Sequence, residues 1–378
     1  MDYPLWWVAC SYDYFMHTGD VEYVEKYYEV MVKTLDKFYP SITNSTNQLV
    51  TKGLGVSGGY GDYGFLRRTG AVTYYNALYV LALNNAAFIA KSIGRGQDAE
   101  RWTARAQNVS MAINKNRFDT STGAFFDGDC GSSPCKTHAQ DGNSLAIVSG
   151  VANSTRAKSV LQYLSKNAHS YGNAFYDNDL IGAGFSQRVY PFISYFELEA
   201  RFMTGDAESA LEEINRLYGW MATHDPGVTV WEGIGSNGEP YEGGFTSLAH
   251  GWSTGIVPVA MNYLLGVKPS GPGFKTWSLK PVFGDLKWVR GVVPTPNGPI
   301  KVDWKRDEEF ILSVQAPVGT RGKISVPVLR SSVVYLNSDL VWKADGRFGE
   351  IEDDGYSSFD VDGGHHIVTV VSQMRDEV

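Results

Sequence analysis

Two distant stretches of the chain share one pattern. "YFMHTGDVEYVEKYY" (14–28) and "ARFMTGDAESALEEI" (200–214) each run an aromatic-rich helix into Gly-Asp and start a second amphipathic helix at once. Glycine at Gly19 and Gly205 permits the left-handed turn that ends a helix. Asp20 and Asp206 are placed to cap the helix that follows, with Glu22 and Glu208 near its positive end. "AKSIGRGQDAERW" (90–102) is a looser third copy, with Asp98 as its cap. A chain that repeats this unit stacks αα-hairpins, either as an open solenoid or as a closed toroid. Large aromatic helices joined by long polar loops favour the toroid, whose loops line one end.

The pattern predicts helices over 4–17, 21–39, 73–92, 99–116, 143–151, 156–167, 191–203, 207–221 and 247–265. That is about nine, whereas six closed hairpins need about twelve. The shortfall lies at the front, where the chain enters directly into a helix, so a start partway through a larger protein is expected. Composition changes near Gly266. After "KPSGPGF" (268–274), short alternating segments such as "IKVDW" (300–304), "EFILSVQA" (309–316), "KISVPV" (323–328), "SVVYLN" (332–337) and "HHIVTVV" (365–371) read as strands. The expected architecture is a helical domain over 1–267 and a β-sandwich over 275–378.

Charge and targeting signals narrow the partners. Of 378 residues, 41 are acidic and 33 basic, giving a net charge of −8 with no basic run. Nucleic acid and anionic membrane surfaces are therefore excluded as expected partners. No apolar run approaches the ~20 residues that span a bilayer. The first segment, "MDYPLWWVACSYDYF", lacks Lys and Arg and does not read as a signal peptide. Three glycosylation sequons nevertheless occur, at Asn44, Asn108 and Asn153. "CGSSPC" offers Cys130 and Cys135 for a disulfide across a turn, and Cys10, in an apolar segment, reads as a buried thiol. These features point to an extracellular protein. No cofactor is expected, and no His/Asp/Glu spacing points to a metal.

Chemistry concentrates in loops that precede helices. "TVWEGIGSNGEPYEGGFTSLAHGWSTG" (229–255) gathers acids, aromatics, a histidine and many glycines. Glycoside hydrolysis needs two carboxyl groups across the scissile bond, and Glu232 is the best local candidate for one of them. An ordinary loop carboxylate would read the same way. His250 follows as either a hydroxyl contact or a packed residue. "GVSGGYGDYGF" (55–65) contains Asp62 as its only acid and lacks the Lys-Ser/Thr of a phosphate loop. "THAQDGNSLAI" (137–147) offers His138, Gln140 and Asp141, the last being equally suited to a helix cap. "FYDNDLIGAGFSQRVYPF" (175–192) offers Asp177, Asp179 and Arg188. In a toroid these loops converge at one mouth.

Several of these stretches resemble the α-L-rhamnosidases of glycoside hydrolase family 78, particularly the fungal branch. The similarity runs through "DYPLWWVACSYDYFMHTGD", "GDYG", "HAQDGNSLAIVSG", "YPFISYFELEARFMTGD", "TVWEG" and "SLAHGWSTGIVPVAMNYLLGVKPSGPGFKTWSLKP", and into "GVVPTPNGPIKVDWK". It implies an (α/α)6 barrel followed by a β-sandwich. It also implies inverting hydrolysis of terminal α-L-rhamnosides, with Glu232 as general base and His250 as a substrate contact. Asp62, Tyr63 (where the family usually has Trp) and Asp141 fall in substrate-binding loops, and Trp231 and Trp252 would be pocket walls. The family's general acid lies in a D-G-x-x-R-D-R motif that this sequence lacks. The resemblance therefore implies half of a catalytic pair, from an incomplete gene model or from a chain that has lost hydrolysis. Two other readings stay open: a non-catalytic carbohydrate-binding relative, and a polysaccharide lyase using Arg188, Arg67 or Arg68.

Overall fold

Both Gly-Asp junctions turn the chain through the left-handed region, with φ of +72° at Gly19 and +79° at Gly205. This computed structural model describes residues 1–52, 66–224, 226–343, 352 and 355–372. Around the junctions run helices α1 (Tyr3–Thr18), α2 (Val21–Lys33), α3 (Thr73–Ser92), α4 (Gly96–Asn116), α5 (Gln140–Val148), α6 (Ser154–Leu164), α7 (Pro191–Met203) and α8 (Ala207–Thr223). Helix α2 continues through a π-helical turn (Thr34–Phe38) to Ser41.

Two of the expected aspartate caps do not form as such. Asp206 precedes α8 without a capping bond, because its carboxylate pairs with Arg201 at 3.3 Å. Asp98 lies inside the first turn of α4, where it accepts from Tyr28 Oη at 2.6 Å and Arg101 at 2.8 Å. Side-chain partners outcompete the local bond at these two positions. Asp20 accepts from Tyr14 Oη at 2.9 Å. Asn153 does cap, accepting from the Arg156 N–H at the start of α6.

Contacts divide the chain into two units, Met1–Asp13 with Val21–Ile256, and Tyr14–Asp20 with Val257–Val378. In the first unit, α3 packs on α4 and α5, α5 on α7, and α7 on α8. Helices α3 and α5 are buried nearly all round, including polar Asn76, Gln140 and Asn143. By contrast α4, α6 and α8 bury one stripe each, such as Ala99, Trp102, Ala106, Val109 and Ile113 on α4. An all-round buried helix next to an amphipathic one is an inner and an outer layer. Cys10 is exposed, not buried, because Leu5, Val8 and Ala9 supply the packed side of α1.

The last helix is shorter than its apolar pattern predicts. Residues 247–255 form a loop with one 3₁₀ turn (Gly251–Ser253), and regular helix α9 spans only Ile256–Val259 before a π-helical turn, Ala260–Leu264. At Gly255 a Cβ would stand 2.6 Å from that of Tyr195, so the chain passes close to α7 where a longer helix was expected.

The second unit is a two-sheet sandwich. Its strands are β1 (Val267–Pro269), β2 (Thr276–Leu279), β3 (Trp288–Val293), β4 (Ile300–Arg306), β5 (Phe310–Gln315), β6 (Arg321–Pro327), β7 (Ser332–Leu336), β8 (Asp339–Lys343), β9 (Tyr356–Asp362) and β10 (His365–Ser372). One sheet has the order β8-β7-β10-β5-β4-β3 and the other β9-β6-β2-β1, with β6 and β2 parallel. Their inner faces share one core that includes Trp277, Trp304 and Trp342. Strand alternation explains the pattern: Ile300, Val302 and Trp304 point inward while Lys301 and Lys305 are exposed.

Candidate active site

The loops before α3, α5, α7 and α9 are tied to one another in sequence order. Arg68, before α3, donates to Asp141 at the start of α5, at 2.7 Å through both terminal nitrogens. The Gln140 N–H donates to Phe175 O at 2.8 Å, joining α5 to the loop before α7. Val189 and Ile234 exchange backbone hydrogen bonds at 2.9 Å, joining that loop to the segment around Glu232. Each of these loops is therefore bonded to the next.

Glu232 is held between two backbone neighbours. Its N–H donates to Ser247 O at 2.8 Å, and the Ser247 N–H donates back to Glu232 Oε2 at 3.2 Å. His250 Nδ1 lies 4.0 Å from the same carboxylate oxygen, and the His250 N–H donates to Val230 O at 3.0 Å. The Tyr241 phenol is shifted upward by burial, and then by the nearby charge of Glu232. At Gly233 a Cβ would meet the Tyr241 ring at 2.8 Å, so glycine there allows the ring to lie over the strand beside the carboxylate. The Glu232 carboxylate stays partly exposed, as does His250.

An aromatic row leads away from this acid. The His250 ring lies 4.5 Å from Trp252, which stacks on Phe192 at 5.2 Å. Phe192 meets Trp6 edge-on at 6.0 Å, and Trp6 donates to Tyr74 Oη at 3.0 Å. Tyr74 in turn donates to the buried Asp2 carboxylate at 3.1 Å. Trp6, Phe192, Tyr241 and Trp252 are each half-buried. At the tip of the turn between Glu232 and Ser247, Phe245 is 96% exposed.

Other expected site residues fall elsewhere. Trp231 is 1% exposed and packs with Val189, Leu217, Met221 and Ile234, so it backs the site and presents no wall to a ligand. Asp141 is buried as well and does not reach an open pocket. It shares Arg68 with Asp127, and burial raises its carboxyl against the opposing pull of Arg68. Burial would lower Arg68, but the two aspartates outweigh it and hold the guanidinium well above its usual value. His138 is buried too, with Nδ1 2.7 Å from Asp177 and Nε2 3.2 Å from Asp119. Burial alone would raise Asp177, yet bonds from His138 and Tyr163 hold it below the usual range. Arg188 pairs with Glu242 at 2.7 Å and covers the Tyr241 ring. Asp62 and Tyr63 lie outside the described residues.

Sequence reading passed over Trp6, Phe192 and Tyr241. Each lies in one of the loops or helix starts named above, and only the fold shows that Phe192 and Trp6 continue the ring contacts of His250 and Trp252 and that Tyr241 lies near Glu232. Cys130 and Cys135 form a disulfide with Cα atoms 4.8 Å apart, closing the hairpin of Asp129–Cys130 and Ser133–Pro134. Asn153 is exposed at its helix cap, Asn108 is exposed on α4, and Asn44 is half-buried. Among the described residues no three His, Cys, Asp or Glu side chains converge as a metal site, and no helix is long and apolar enough to cross a membrane.

Comparison with known proteins places this geometry. Residues 2–185 match the model of the bacterial α-L-rhamnosidase 6 hairpin glycosidase domain, and residues 266–338 that of the bacterial α-L-rhamnosidase C-terminal domain. No curated protein sequence matches the chain. Among solved structures, α-L-rhamnosidase from Dictyoglumus thermophilum is 19% identical with a TM-score of 0.69, over 94% of this chain and 38% of that one. A family 78 rhamnosidase of Bacillus sp. GL1 is 25% identical, TM-score 0.63, over 80% and 30%. Streptomyces avermitilis α-L-rhamnosidase complexed with L-rhamnose is 18% identical, TM-score 0.64, over 94% and 32%. The chain thus spans less than two fifths of the length of each of these relatives. With a six-hairpin domain model on one side, the C-terminal domain model of the same family on the other, and the fold of its solved members across both, the chain belongs to the α-L-rhamnosidase family of glycoside hydrolases.

Proposed function

We propose that this chain supplies the general base of an inverting α-L-rhamnosidase that removes terminal α-L-rhamnose from plant glycosides or polysaccharides. The observation that carries the reading is the setting of Glu232. It is a partly exposed carboxylate, oriented by the Ser247 N–H and close to Tyr241, beside a row of half-buried aromatic rings. A carboxylate so placed takes a proton from the water that attacks the anomeric carbon. The apolar faces of Trp252 and Phe192 suit the C–H faces of a deoxy sugar, and His250 suits a hydroxyl. Inversion requires an acid about 6.5–9.5 Å away across the sugar. The sequence holds no D-G-x-x-R-D-R motif, and the proposal assigns the acid to none of these 378 residues.

The same reading takes the helical unit as an (α/α)6 toroid with affinity to the fungal branch, and the protein as extracellular. The disulfide and the exposed Asn108 and Asn153 support an oxidising, glycosylating route. A second reading is a carbohydrate-binding relative that binds through the same aromatic row without hydrolysing. A lyase reading loses two of its three cations, because Arg68 is sealed between two aspartates and Arg188 is paired with Glu242, which leaves the exposed Arg67.

The test compares 4-nitrophenyl α-L-rhamnoside with a flavonoid rhamnoside, following the first-formed anomer by proton NMR. Turnover of the nitrophenyl substrate with β-L-rhamnose as first product supports the proposal. Rhamnose binding without turnover of either substrate supports the non-catalytic relative.

A further inference from the structure

The outward face of the six-stranded sheet carries a set of side chains that the proposed chemistry does not use. Because Ile300, Val302 and Trp304 fill the core, Lys301, Asp303 and Lys305 face solvent on β4. The register then lines up three rows across the sheet. Lys301 is opposite Val292 on β3 and Gln315 on β5, Asp303 is opposite Arg290 and Ser313, and Lys305 is opposite Trp288 and Ile311. Strand β10 extends the rows with His365 opposite Gln315 and Ile367 opposite Ser313.

Three properties of this face point the same way. It is grooved: a depression of about 270 Å³ runs over Arg290, Lys301, Asp303, Ser313 and His365. It offers a flat apolar platform, since Trp288 on the edge strand is 68% exposed. It is also basic on a chain whose net charge is −8. Arg290, Lys301 and Lys305 stand against the single carboxylate of Asp303, which Arg290 binds at 2.6 Å. Among the described residues Lys301 and Lys305 have no ion-pair partner. The acids of the β4–β5 turn, Asp307, Glu308 and Glu309, follow Lys305 and Arg306 at one end of the sheet, and the row of Lys301, Val292 and Gln315 lies at the other.

An exposed indole beside hydrogen-bonding side chains suits a sugar ring, with one apolar face and a hydroxylated rim. Two unpaired ammonium groups four residues apart on one strand, about 13 Å, suit a ligand with repeated negative charges. We propose that this face, centred on Trp288, Arg290, Lys301 and Lys305, binds an acidic polysaccharide whose sugars carry carboxylates. The inference rests on the β-unit alone and is independent of the role of Glu232.

The experiment measures binding of the full chain by isothermal titration to polygalacturonate, with dextran as a neutral sugar polymer and poly-L-aspartate as an acidic polymer without sugar. Binding to polygalacturonate alone is expected, weakening as salt screens the charges. The double variant Lys301→Glu, Lys305→Glu is expected to lose about tenfold in affinity, and Trp288→Ala about fivefold. Both should keep the wild-type melting temperature, because all three side chains are exposed. Absence of binding to polygalacturonate would overturn the proposal. So would equal binding to poly-L-aspartate, or full affinity in Trp288→Ala, either of which would reduce the face to non-specific charge.

Discussion

Glu232 and Ser247 hold each other twice, the Glu232 N–H on Ser247 O at 2.8 Å and the Ser247 N–H on Glu232 Oε2 at 3.2 Å. The first bond ties the two strands of the loop together, and the second aims the carboxylate. The Tyr241 phenol lies near that carboxylate, whose charge adds to burial in shifting it upward. Tyr241→Phe removes the hydroxyl without removing the ring, a change of about 1–3 kcal/mol in the polar surroundings of the charge. On the rhamnosidase reading, kcat should fall about tenfold or more while the melting temperature barely moves. Steady-state kinetics with a nitrophenyl rhamnoside checks this, and unchanged kcat would remove Tyr241 from the account.

Gly233 is the companion of that ring. A methyl group there would lie 2.8 Å from Tyr241 Cδ1, so Gly233→Ala must displace the ring or the strand. Overpacking of this kind costs about 1–3 kcal/mol. The expected outcome is a lower urea midpoint together with a loss of activity larger than that of Tyr241→Phe. The combination separates it from a purely local effect on the hydroxyl.

How much of this was legible in the sequence depends on range. Helices such as Thr73–Ser92 and Pro191–Met203 begin and end where the apolar pattern and the flanking Gly and Pro place them. The strands after residue 300 likewise follow their alternation. The end of the helical unit was not legible, because the apolar run before Leu265 looks continuous while Gly255 must pass against Tyr195. Asp141 was misjudged for a different reason: its partner, Arg68, is 73 residues away. No local pattern distinguishes a carboxylate that meets substrate from one that meets a distant arginine. Trp231 was misjudged in the same way: its partners Val189, Leu217 and Met221 are distant in sequence or on helix α8.

Arg68 is clamped by Asp127 and Asp141 and lies near the rings of Tyr74, Phe175 and Tyr176. Removing it leaves two buried carboxylates facing each other. Breaking a buried pair in this way costs about 3–5 kcal/mol. Arg68→Met should therefore lower unfolding stability by about that amount in a urea titration. Loss of less than about 1 kcal/mol would mean that the clamp is no more than a surface-like ion pair.

Glu213 gives stability a pH dependence. Burial first, and then the nearby Glu197 charge, raise its carboxyl from 4.5 to about 7 against the pull of Arg216 and Arg201. A group whose folded value is raised binds its proton more tightly in the folded state. Its contribution is therefore complete below 4.5 and is lost as pH rises through about 7. Thermal melts between pH 5 and 8 should show falling stability, and Glu213→Gln should flatten that slope. A slope that persists in the variant would assign it to another group.

The central claim is that Glu232 is the general base, and the most direct measurement compares Glu232→Gln with the unsubstituted chain on 4-nitrophenyl α-L-rhamnoside. Glutamine keeps the shape and the bond from Ser247 but cannot take a proton. The account predicts turnover by the unsubstituted chain and a loss of about 10²–10⁴-fold in the variant, with rhamnose binding and melting temperature retained. Turnover in Glu232→Gln within a few fold of the unsubstituted chain, or no turnover in either, would contradict it.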